Sequence, residues 1–384
     1  MRDIKAKYSV GAAVTDPAMA QREPADEYEQ SAVELLAEYA GLRTIGVDDD
    51  FFAAGGTSIG AMRVVMALSR RWGVQVQLDA FISAPTGARL AALIRAGEVN
   101  QTFDPLVPLN LGGGKPPLFL VHPIGGNVLC YLALARHLNS DRPIYGLQAA
   151  GADTGSTPET TMAALAESYL QALRRVHPTG PYHLAGWSFG GYVALEIARQ
   201  LPEHEVSSVT LLDTMALRNH ARTVIEEEPL IRSFFSELLW STRGSHSAPV
   251  EFEPDVHGSE ELLAAMLDEA VRVGILPADS PPQTMKRLYE TFHANYSAML
   301  NYQLEPYERD ITLLRATEEL PSGIDLVHQT ISAMSDKADN GWQQYAAREF
   351  TVIEVPGDNL NMLSEPNVGE VAQRLDEVMS ALET

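Results

Sequence analysis

Residues 182–200 read YHLAGWSFGGYVALEIARQ. They begin with an apolar run of the length and composition of a buried strand, and a helix is predicted from Gly190 onward. Ser188 stands at the tight turn between the two, where Gly186 and Gly190 supply the room that the backbone needs. A serine lifted clear of the end of a strand in this way is a candidate nucleophile.

Similar apolar runs recur on both sides of this stretch and alternate with helical segments. Further strands are predicted at residues 118–121, 143–147, 208–212, 311–314 and 350–353. Alternation of this kind predicts a mostly parallel sheet that is covered by helices on both faces. The chain closes on a helix whose apolar residues repeat at spacings of three and four between Val368 and Leu382.

Residues 217–304 interrupt the alternation, because helical segments alone are predicted there. These segments are residues 230–240, 260–273 and 284–304. Helices inserted after a strand of such a sheet suit a lid over a site at the sheet edge. The alternative is that they only enlarge the core.

The first hundred residues have a different character. Residues 1–24 are small, polar and aperiodic, and we expect a flexible tail. Apolar residues at helical spacing in residues 25–97 predict an all-α, four-helix domain, with Thr86 as the N-cap of its last helix. The proline and glycine residues of 98–116 indicate an interdomain linker, so that the sheet is assigned to 117–384.

The composition argues against several classes of function. Of the 384 residues 51 are acidic and 28 basic, and at a formal net charge of −23 we expect no binding to nucleic acid or to an anionic membrane. Cys130 is the one cysteine, which excludes an internal disulfide and is typical of a reducing compartment. Neither a membrane-spanning run nor the apolar core of a signal peptide is present, so we expect a soluble, cytoplasmic protein.

A second serine, Ser58, stands in the stretch FFAAGGTSI at residues 51–59. It opens a predicted helix after a turn with two glycines, so that a partner enzyme can approach its backbone. Together with IGVDDDFF at residues 45–52, this pattern makes residues 25–97 resemble a peptidyl carrier domain of the nonribosomal peptide synthetases. The resemblance implies that Ser58 bears 4′-phosphopantetheine, whose phosphodiester a helix N-terminus favours. Taken alone, Ser58 could also be a plain helix N-cap.

Residues 117–384 resemble the type I thioesterase domain that ends such assembly lines, an α/β-hydrolase. The resemblance rests on GWSFG at residues 186–190 and on VHPIGG at residues 121–126, which matches a His-Pro-x-Gly-Gly element of the family. It implies that Ser188 is the nucleophile and that the backbone N–H groups of Phe189 and Ile124 form the oxyanion hole. We interpret His122 as a hydrogen-bonding residue that shapes this loop rather than as a general base.

Asp213 is the candidate acid of a catalytic triad. It follows the predicted strand at 208–212, and an aspartate at the carboxyl end of a strand is well placed to orient a histidine. The family has its acid in a matching Leu-Asp-Thr element, so the resemblance implies the same role. The alternative is an aspartate that only starts a helix.

The histidine that would complete the triad is replaced. The family carries Pro-Gly-Asp-His late in the chain, whereas this sequence reads VPGDNLNML at residues 355–363, with Asn359 in the histidine position. Asparagine has no titratable nitrogen and cannot accept the serine proton near neutral pH, but it can still donate a hydrogen bond to Asp213.

Three explanations of Asn359 stay open. They are a deliberate His-to-Asn replacement, a natural domain that lost or changed its chemistry, and a histidine recruited from elsewhere. The candidates for recruitment are His293 and His328. His293 shares a predicted helix with aromatic residues, which favours a role in the core or the lid.

The two resemblances together predict a carrier–thioesterase didomain from the end of a nonribosomal peptide, or hybrid polyketide, synthetase. A phosphopantetheinyl transferase would attach the arm at Ser58, and upstream synthetase modules would load it with an acyl or peptidyl thioester. Ser188 would take over the acyl group, and water or an internal nucleophile would release it as a free acid or a macrocycle. Loss of a triad base costs on the order of 10⁶ in rate, so we expect impaired release.

Two other functions stay open. One is a catalytically silent didomain that holds a carrier-bound intermediate for a partner, a function that Asn359 favours. The other is a free-standing esterase whose helical domain is only an interaction module. No metal ligands are predicted.

Overall fold

The computed structural model describes residues 22–73, 76, 78–83, 85–96, 103–138, 141–151, 156–217, 226–243, 254, 256, 258–320 and 338–383. The tail predicted at 1–24 lies almost wholly outside these residues, and so does His328. The chain divides into two compact units. The helical unit runs up to Asp104 and includes Ala270–Ser280, and the sheet unit comprises the rest. Within the part described, no helix is both long and apolar enough to span a membrane.

The helical unit has helices in the region where the sequence predicts a helical domain. Those described before Asp104 are α1 Glu27–Ala40, α2 Ser58–Trp72, α3 Leu78–Ser83 and α4 Gly87–Ala96. The side chains of Asp26, Thr57 and Thr86 accept hydrogen bonds from backbone N–H groups at the starts of α1, α2 and α4. The N-cap predicted at Thr86 is therefore confirmed.

The core of the helical unit contains a cluster of three aromatic rings among aliphatic side chains. The rings of Phe51, Phe52 and Phe81 meet edge to face, with centroids 5.1 to 5.7 Å apart, which is a favoured geometry for aromatic pairs. Phe51 is fully buried, and the backbone of Gly56 lies so close to its ring that a Cβ at position 56 would collide with it. The packing of Phe51 therefore requires a glycine at position 56, in the loop before Ser58.

The sheet unit contains a mostly parallel sheet, as predicted. The described strands stand in the order β1-β3-β2-β4-β5-β6-β7, and β1 alone is antiparallel to its neighbour. Their bounds are β1 Leu106–Asn110, β2 Leu118–Val121, β3 Ile144–Leu147, β4 Tyr182–Trp187, β5 Val206–Leu212, β6 Ile311–Ala316 and β7 Phe350–Val355. Strands β2 and β4 are buried along their whole length, as is typical of central parallel strands.

Part of the linker predicted at 98–116 belongs to the sheet, so the prediction is wrong for these residues. Residues Leu106–Asn110 form β1, which pairs with β3, and Val107 is fully buried. A strand is unexpected at Pro108, because proline has no backbone N–H to donate to a neighbouring strand. It is tolerated because β1 stands at the end of the strand order, where one side of the strand needs no partner.

In the part of the chain that the structure describes, helices lie between the strands of the sheet unit and also follow β7. They are α5 Tyr131–His137, α6 Met162–Val176, α7 Phe189–Gln200, α8 Glu227–Arg243, α9 Ser259–Arg272, α10 Gln283–Asn301 and α11 Val368–Ala381. Helix α5 was not predicted, because seven residues are too few to establish a helical period. Helices α8 to α10 follow β5 with no intervening strand in the described residues, where the helical insertion was expected. That they form a lid stays a prediction.

The carboxyl ends of the central strands meet at one edge of the sheet. β4 ends one residue before Ser188, β5 one residue before Asp213, and β2 three residues before Ile124. The ladder hydrogen bonds continue beyond the strands. The Ser188 N–H donates to the Leu212 carbonyl at 2.9 Å, and the Asp213 N–H donates to the Leu314 carbonyl at 2.8 Å. The sheet therefore fixes the backbone of both candidate site residues.

A buried polar cluster surrounds His183 near the amino end of β4. Its Nδ1 lies 2.8 Å from Ser208 Oγ, and its Nε2 lies 3.2 Å from a carboxylate oxygen of Glu383. The same oxygen lies 2.7 Å from the buried guanidinium of Arg142. Burial, followed by the charge of Arg142, lowers the pKa of His183 to about 4. We therefore expect the imidazole to be neutral in the folded protein near pH 7.

This cluster predicts a loss of stability in mild acid. The pKa of His183 is about 4 in the folded chain and 6.5 ordinarily, so between these values the unfolded chain binds a proton that the folded chain does not. The free energy of unfolding should then fall as the pH is lowered, by up to about 1.4 kcal/mol per pH unit for this group. Urea unfolding at about pH 7 and about pH 5 measures the slope.

The matched variants are His183→Gln and His204→Gln. The first removes the buried imidazole. The free energy of unfolding should then change less steeply with pH, by the equivalent of up to one bound proton. The second replaces an exposed histidine of the same unit and should leave the slope unchanged. Equal slopes for the parent and His183→Gln would contradict the prediction.

Candidate active site

Ser188 sits at a strained turn between β4 and α7. Its backbone has φ 53° and ψ −117°, a conformation that residues with a side chain rarely adopt. Strain of this kind persists only where the surrounding structure enforces it, and it is concentrated at functional sites. The side chain stands half-buried at the carboxyl edge of the sheet, where a candidate nucleophile is expected.

Three glycines make this turn possible. A Cβ on Gly186 would collide with the backbone of Gly190, and one on Gly190 would collide with the carbonyl oxygen of Val121. A Cβ on Gly191 would collide with the hydroxyl of Thr214, which also donates a hydrogen bond to the Ser188 carbonyl at 2.9 Å. The motif therefore lets α7 start directly against β2 and beside the end of β5.

Asp213 is held by amide donors at the end of β5. One carboxylate oxygen accepts from the Ala316 N–H at 3.1 Å and from the Asn340 side-chain amide at 3.0 Å. The other accepts from the Asn359 side-chain amide at 2.9 Å. The residue is 4% exposed, and burial raises the pKa of its carboxyl, while the three donors act against that rise.

Asn359 lies where the sequence analysis expects the triad histidine. Its amide nitrogen donates to the Asp213 carboxylate and to the Asp213 carbonyl, both at 2.9 Å, and the residue is nearly buried. The backbone carbonyl of Asn359 accepts from the indole N–H of Trp187 at 2.8 Å, which ties the loop to the residue before Ser188. The structure thus brings Asp213 and Asn359 together next to the serine turn.

The geometry explains what asparagine can and cannot do here. Its amide N–H donates to Asp213 as the Nδ1–H of a histidine would in a Ser-His-Asp triad. A histidine has a second ring nitrogen that can accept a proton, and asparagine has none. The contact to Asp213 is kept, while proton transfer from Ser188 has no acceptor on this side chain.

The two candidate oxyanion donors stand on neighbouring elements. Phe189 is the first residue of α7, and Ile124 lies in the loop after β2. Both are buried. The carbonyl of Ile124 accepts from the side-chain amide of Asn295 in α10 at 2.8 Å, so a helix of the insertion holds this loop. Their roles as oxyanion donors stay a prediction.

The histidines of the sheet unit do not replace the missing base in the described contacts. His122 is fully buried and contacts the Pro123 carbonyl and the Tyr169 hydroxyl, in keeping with its interpretation as a loop-shaping residue. His293 is exposed on α10 and packs its ring against Tyr289. The hydrogen bonds described for the Asp213 side chain come from amides alone.

Sequence reasoning missed Asn340 as a partner of Asp213. Asn340 follows a long stretch without a recognisable motif, and it has a positive φ of 46° in a turn before Gly341. An Asn-Gly pair predicts a turn, so the backbone conformation could have been anticipated. Nothing in the local sequence indicates that this turn reaches the end of β5.

Ser58 is the first residue of α2, as predicted. Gly55 and Thr57, which precede it, are exposed. A phosphodiester at this position would lie at the positive end of a helix of 15 residues, close to its first N–H groups. The position therefore fits the attachment of 4′-phosphopantetheine.

Comparison with known proteins identifies both units. Residues 116–378 match the thioesterase domain family. The chain belongs to the thioesterase family. Residues 30–94 match the phosphopantetheine attachment site family, so this thioesterase also carries a domain for covalently bound 4′-phosphopantetheine. The sheet unit is that of a serine hydrolase with the α/β-hydrolase fold, and the two families stand in the order of a carrier–thioesterase didomain.

Relatives of this thioesterase include nonribosomal peptide synthetases. A dimodular nonribosomal peptide synthase of Bacillus subtilis (strain 168) is 33% identical over 307 residues, which are 78% of this chain and 12% of the relative. A nonribosomal peptide synthetase of Aspergillus terreus (strain NIH 2624 / FGSC A1156) is 29% identical over 344 residues, which are 88% of this chain and 36% of the relative. The thioesterase chain thus spans much less than half the length of either protein.

Solved structures agree with this assignment. Holo-AB3403, a four-domain nonribosomal peptide synthetase bound to AMP and glycine, is 27% identical with a TM-score of 0.64, and the match covers 97% of this chain and 27% of that one. The Vlm2 thioesterase domain bound with a dodecadepsipeptide is 25% identical with a TM-score of 0.50, and the match covers 71% of this chain and 96% of that one.

The contact at Gly190 predicts that this glycine cannot be replaced. In Gly190→Ala the new methyl group would press on the Val121 carbonyl, and α7 would have to shift away from β2. Such overpacking should lower the free energy of unfolding by about 1–3 kcal/mol, measured by urea unfolding. Gly114→Ala is the control, because open space surrounds that glycine, and it should stay within about 0.5 kcal/mol of the parent. Equal losses in both variants would contradict the prediction.

Proposed function

We propose that the chain performs the release step of a nonribosomal peptide, or hybrid polyketide, synthetase. An acyl or peptidyl group carried at Ser58 is transferred to Ser188 and then released by hydrolysis or macrocyclisation. The observation that carries the proposal is the pairing, on one chain, of a phosphopantetheine attachment domain with a serine turn beside the Asp213–Asn359 contact. The acyl thioester carried on such an arm is a substrate that a serine hydrolase can attack.

The residues of the site have separate roles in this reaction. 4′-Phosphopantetheine on Ser58 supplies a thiol, which carries the acyl chain as a thioester. Ser188 Oγ adds to the thioester carbonyl, and the N–H groups of Phe189 and Ile124 stabilise the charge that develops on its oxygen. As the bond between Ser188 Oγ and the acyl carbon forms, the C–S bond would break, and the departing sulfur would receive a proton. The Ser188 proton needs an acceptor at the start of the step, and this is the role in which Asn359 fails.

Asn359 makes the proposed reaction slow rather than impossible. Removing the base of a Ser-His-Asp triad costs on the order of 10⁶ in rate, and the oxyanion hole and substrate binding retain about 10³ to 10⁴ over water. The strained serine turn and the buried acid are both formed in this chain. The scaffold of the reaction is thus present and one proton acceptor is missing.

The second candidate function is a silent didomain that retains a carrier-bound intermediate for a partner. It is favoured by the hydrogen bonding of Asn359, whose side-chain amide nitrogen donates both to the carboxylate and to the backbone carbonyl of Asp213. The Asn359 side chain is therefore well accommodated beside Asp213. Under this alternative, a histidine at position 359 would not accelerate release.

Other parts of the proposal concern the surroundings of the site. Helices α8 to α10 would shape the acyl cavity and control the access of water, which decides between hydrolysis and cyclisation. Asn295 supports this role because it links α10 to the candidate oxyanion loop. The upstream synthetase modules and a phosphopantetheinyl transferase are the proposed partners.

Intact mass after loading tests the proposal. A phosphopantetheinyl transferase and an acyl-coenzyme A are used to load the parent chain and Asn359→His, with 3′,5′-ADP as the leaving group when the acyl-phosphopantetheine is attached to Ser58. The parent should retain the acyl group, and Asn359→His should release it at least about 10³-fold faster, because the imidazole can accept the Ser188 proton. Ser58→Ala should not load at all.

The control for release is Asn359→His combined with Ser188→Ala, which should retain the acyl group. Equal release from the parent and from Asn359→His would mean that another group is the base, so that the assigned triad is wrong. Retention by both would support the silent didomain. Loading of Ser58→Ala would overturn the carrier assignment.

A further inference from the structure

His122 is buried between the two elements that supply the candidate oxyanion donors. Its imidazole is fully buried, and its ring stacks on that of Phe189 with centroids 5.7 Å apart. Nδ1 lies 2.6 Å from the carbonyl oxygen of Pro123, and Nε2 lies 2.7 Å from the hydroxyl of Tyr169 in α6. The imidazole thus contacts the loop after β2, the start of α7 and helix α6.

These contacts determine the tautomer. A carbonyl oxygen can only accept a hydrogen bond, so the Nδ1 atom of His122 must carry the proton that is donated to Pro123. In the neutral ring Nε2 is then an acceptor, and the Tyr169 hydroxyl is the donor. Burial lowers the pKa of His122 to about 4 and raises that of Tyr169 well above its ordinary value, so both groups keep these forms near neutral pH.

The Pro123 carbonyl belongs to the same peptide group as the N–H of Ile124. It accepts a second hydrogen bond from the Gly126 N–H at 2.9 Å. Hydrogen bonds to a carbonyl oxygen fix the plane of its peptide group and, by polarising it, strengthen the hydrogen bonds that its N–H donates. The N–H that is affected here is the one assigned to the oxyanion hole.

We infer that Tyr169 and His122 form a hydrogen-bond relay that orients and polarises the Pro123–Ile124 peptide toward the oxyanion of the reaction. His122 is then a positioning residue, because it acts through Ile124 and through packing on Phe189 rather than on the substrate. The inference rests on the proposed function in one respect, the assignment of Ile124 as an oxyanion donor. The tautomer and the contacts to Pro123 and Tyr169 do not depend on that assignment.

A purely structural role of His122 makes a different prediction. If the ring only filled space between β2 and α7, loss of the Tyr169 hydroxyl would lower stability without changing the rate of the chemical step. A relay changes the strength of a donor that acts in the transition state, so its loss lowers kcat and leaves KM unchanged. The two roles can therefore be separated by kinetics.

The first experiment uses the chain as it stands and does not require activity. Nuclear magnetic resonance of ¹⁵N-histidine reports which ring nitrogen of His122 carries the proton. A single Nδ1–H tautomer that stays neutral well below pH 6.5 is expected in the parent. In Tyr169→Phe, Nε2 loses its donor, and its resonance should shift. An Nε2–H tautomer in the parent, or an Nε2 resonance unchanged in Tyr169→Phe, would overturn the relay.

The second experiment measures release kinetics in the Asn359→His background. Tyr169→Phe should lower kcat about 10-fold with KM unchanged, which is less than the ~100-fold cost of losing a whole oxyanion donor. The matched control is Tyr182→Phe, because this buried tyrosine donates to the His177 carbonyl at 2.7 Å, outside the relay. Its kcat should stay within about 2-fold of the background, as for a substitution away from the reacting groups.

A conservative variant of His122 tests the position of the donor. In His122→Asn the side-chain amide can occupy the place of Nδ1–H and donate to Pro123, so most of the rate should be kept. His122→Leu removes the donor and should lose at least as much rate as Tyr169→Phe. Equal kcat values for His122→Asn and His122→Leu would overturn the relay.

The outcomes separate this inference from the proposed function. If Asn359→His releases no acyl group, the proposed release function fails, and the tautomer measurement still decides whether the relay exists. If Asn359→His is active and Tyr169→Phe behaves like Tyr182→Phe, the release function stands and the relay is wrong.

Discussion

Helix α7 and strand β2 approach each other so closely at Gly190 that no side chain fits between them. A Cβ on this residue would press on the Val121 carbonyl, and Gly186 and Gly191 are as tightly confined. Because α7 starts this close to β2, Phe189 at its first turn packs on the imidazole of His122 in the following loop. Ser188, which directly precedes α7, has a positive φ of 53°. The candidate nucleophile and the candidate oxyanion loop therefore lie on either side of one tightly packed contact.

The second constraint is the burial of the Asp213 carboxylate. A buried carboxylate must be hydrogen-bonded, and an unsatisfied one costs free energy on the order of 1–3 kcal/mol or more. Asn340, Asn359 and the Ala316 N–H supply the donors. Asparagine at position 359 meets this structural requirement fully, whereas catalysis would also require a second, basic nitrogen. Folding and chemistry thus make different demands on the same position.

The sequence predicted most elements of this fold, and the misses have local causes. The run Leu118–Val121 was predicted with its bounds, because a continuous apolar stretch between loop residues is a strong strand signal. Leu106–Asn110 was taken for linker, because Pro108 and the nearby glycines have the composition of a loop. Tyr131–His137 is too short to show a helical period. The motif residues Ser188, Asp213 and Asn359 were found because each directly follows a strand or stands in a recognisable segment.

The sequence by itself determined the two families, the strand–turn–helix around Ser188 and the absence of a histidine at position 359. All of these follow from short-range patterns, in which residue type and spacing constrain the backbone directly. Only the tertiary structure decided that Asn340 holds Asp213, that Asn295 in α10 holds the Ile124 loop, and that Tyr169 in α6 contacts His122. These contacts join residues between 47 and 171 positions apart. No local pattern encodes them, because they exist only once the sheet brings its carboxyl edge and the surrounding helices together.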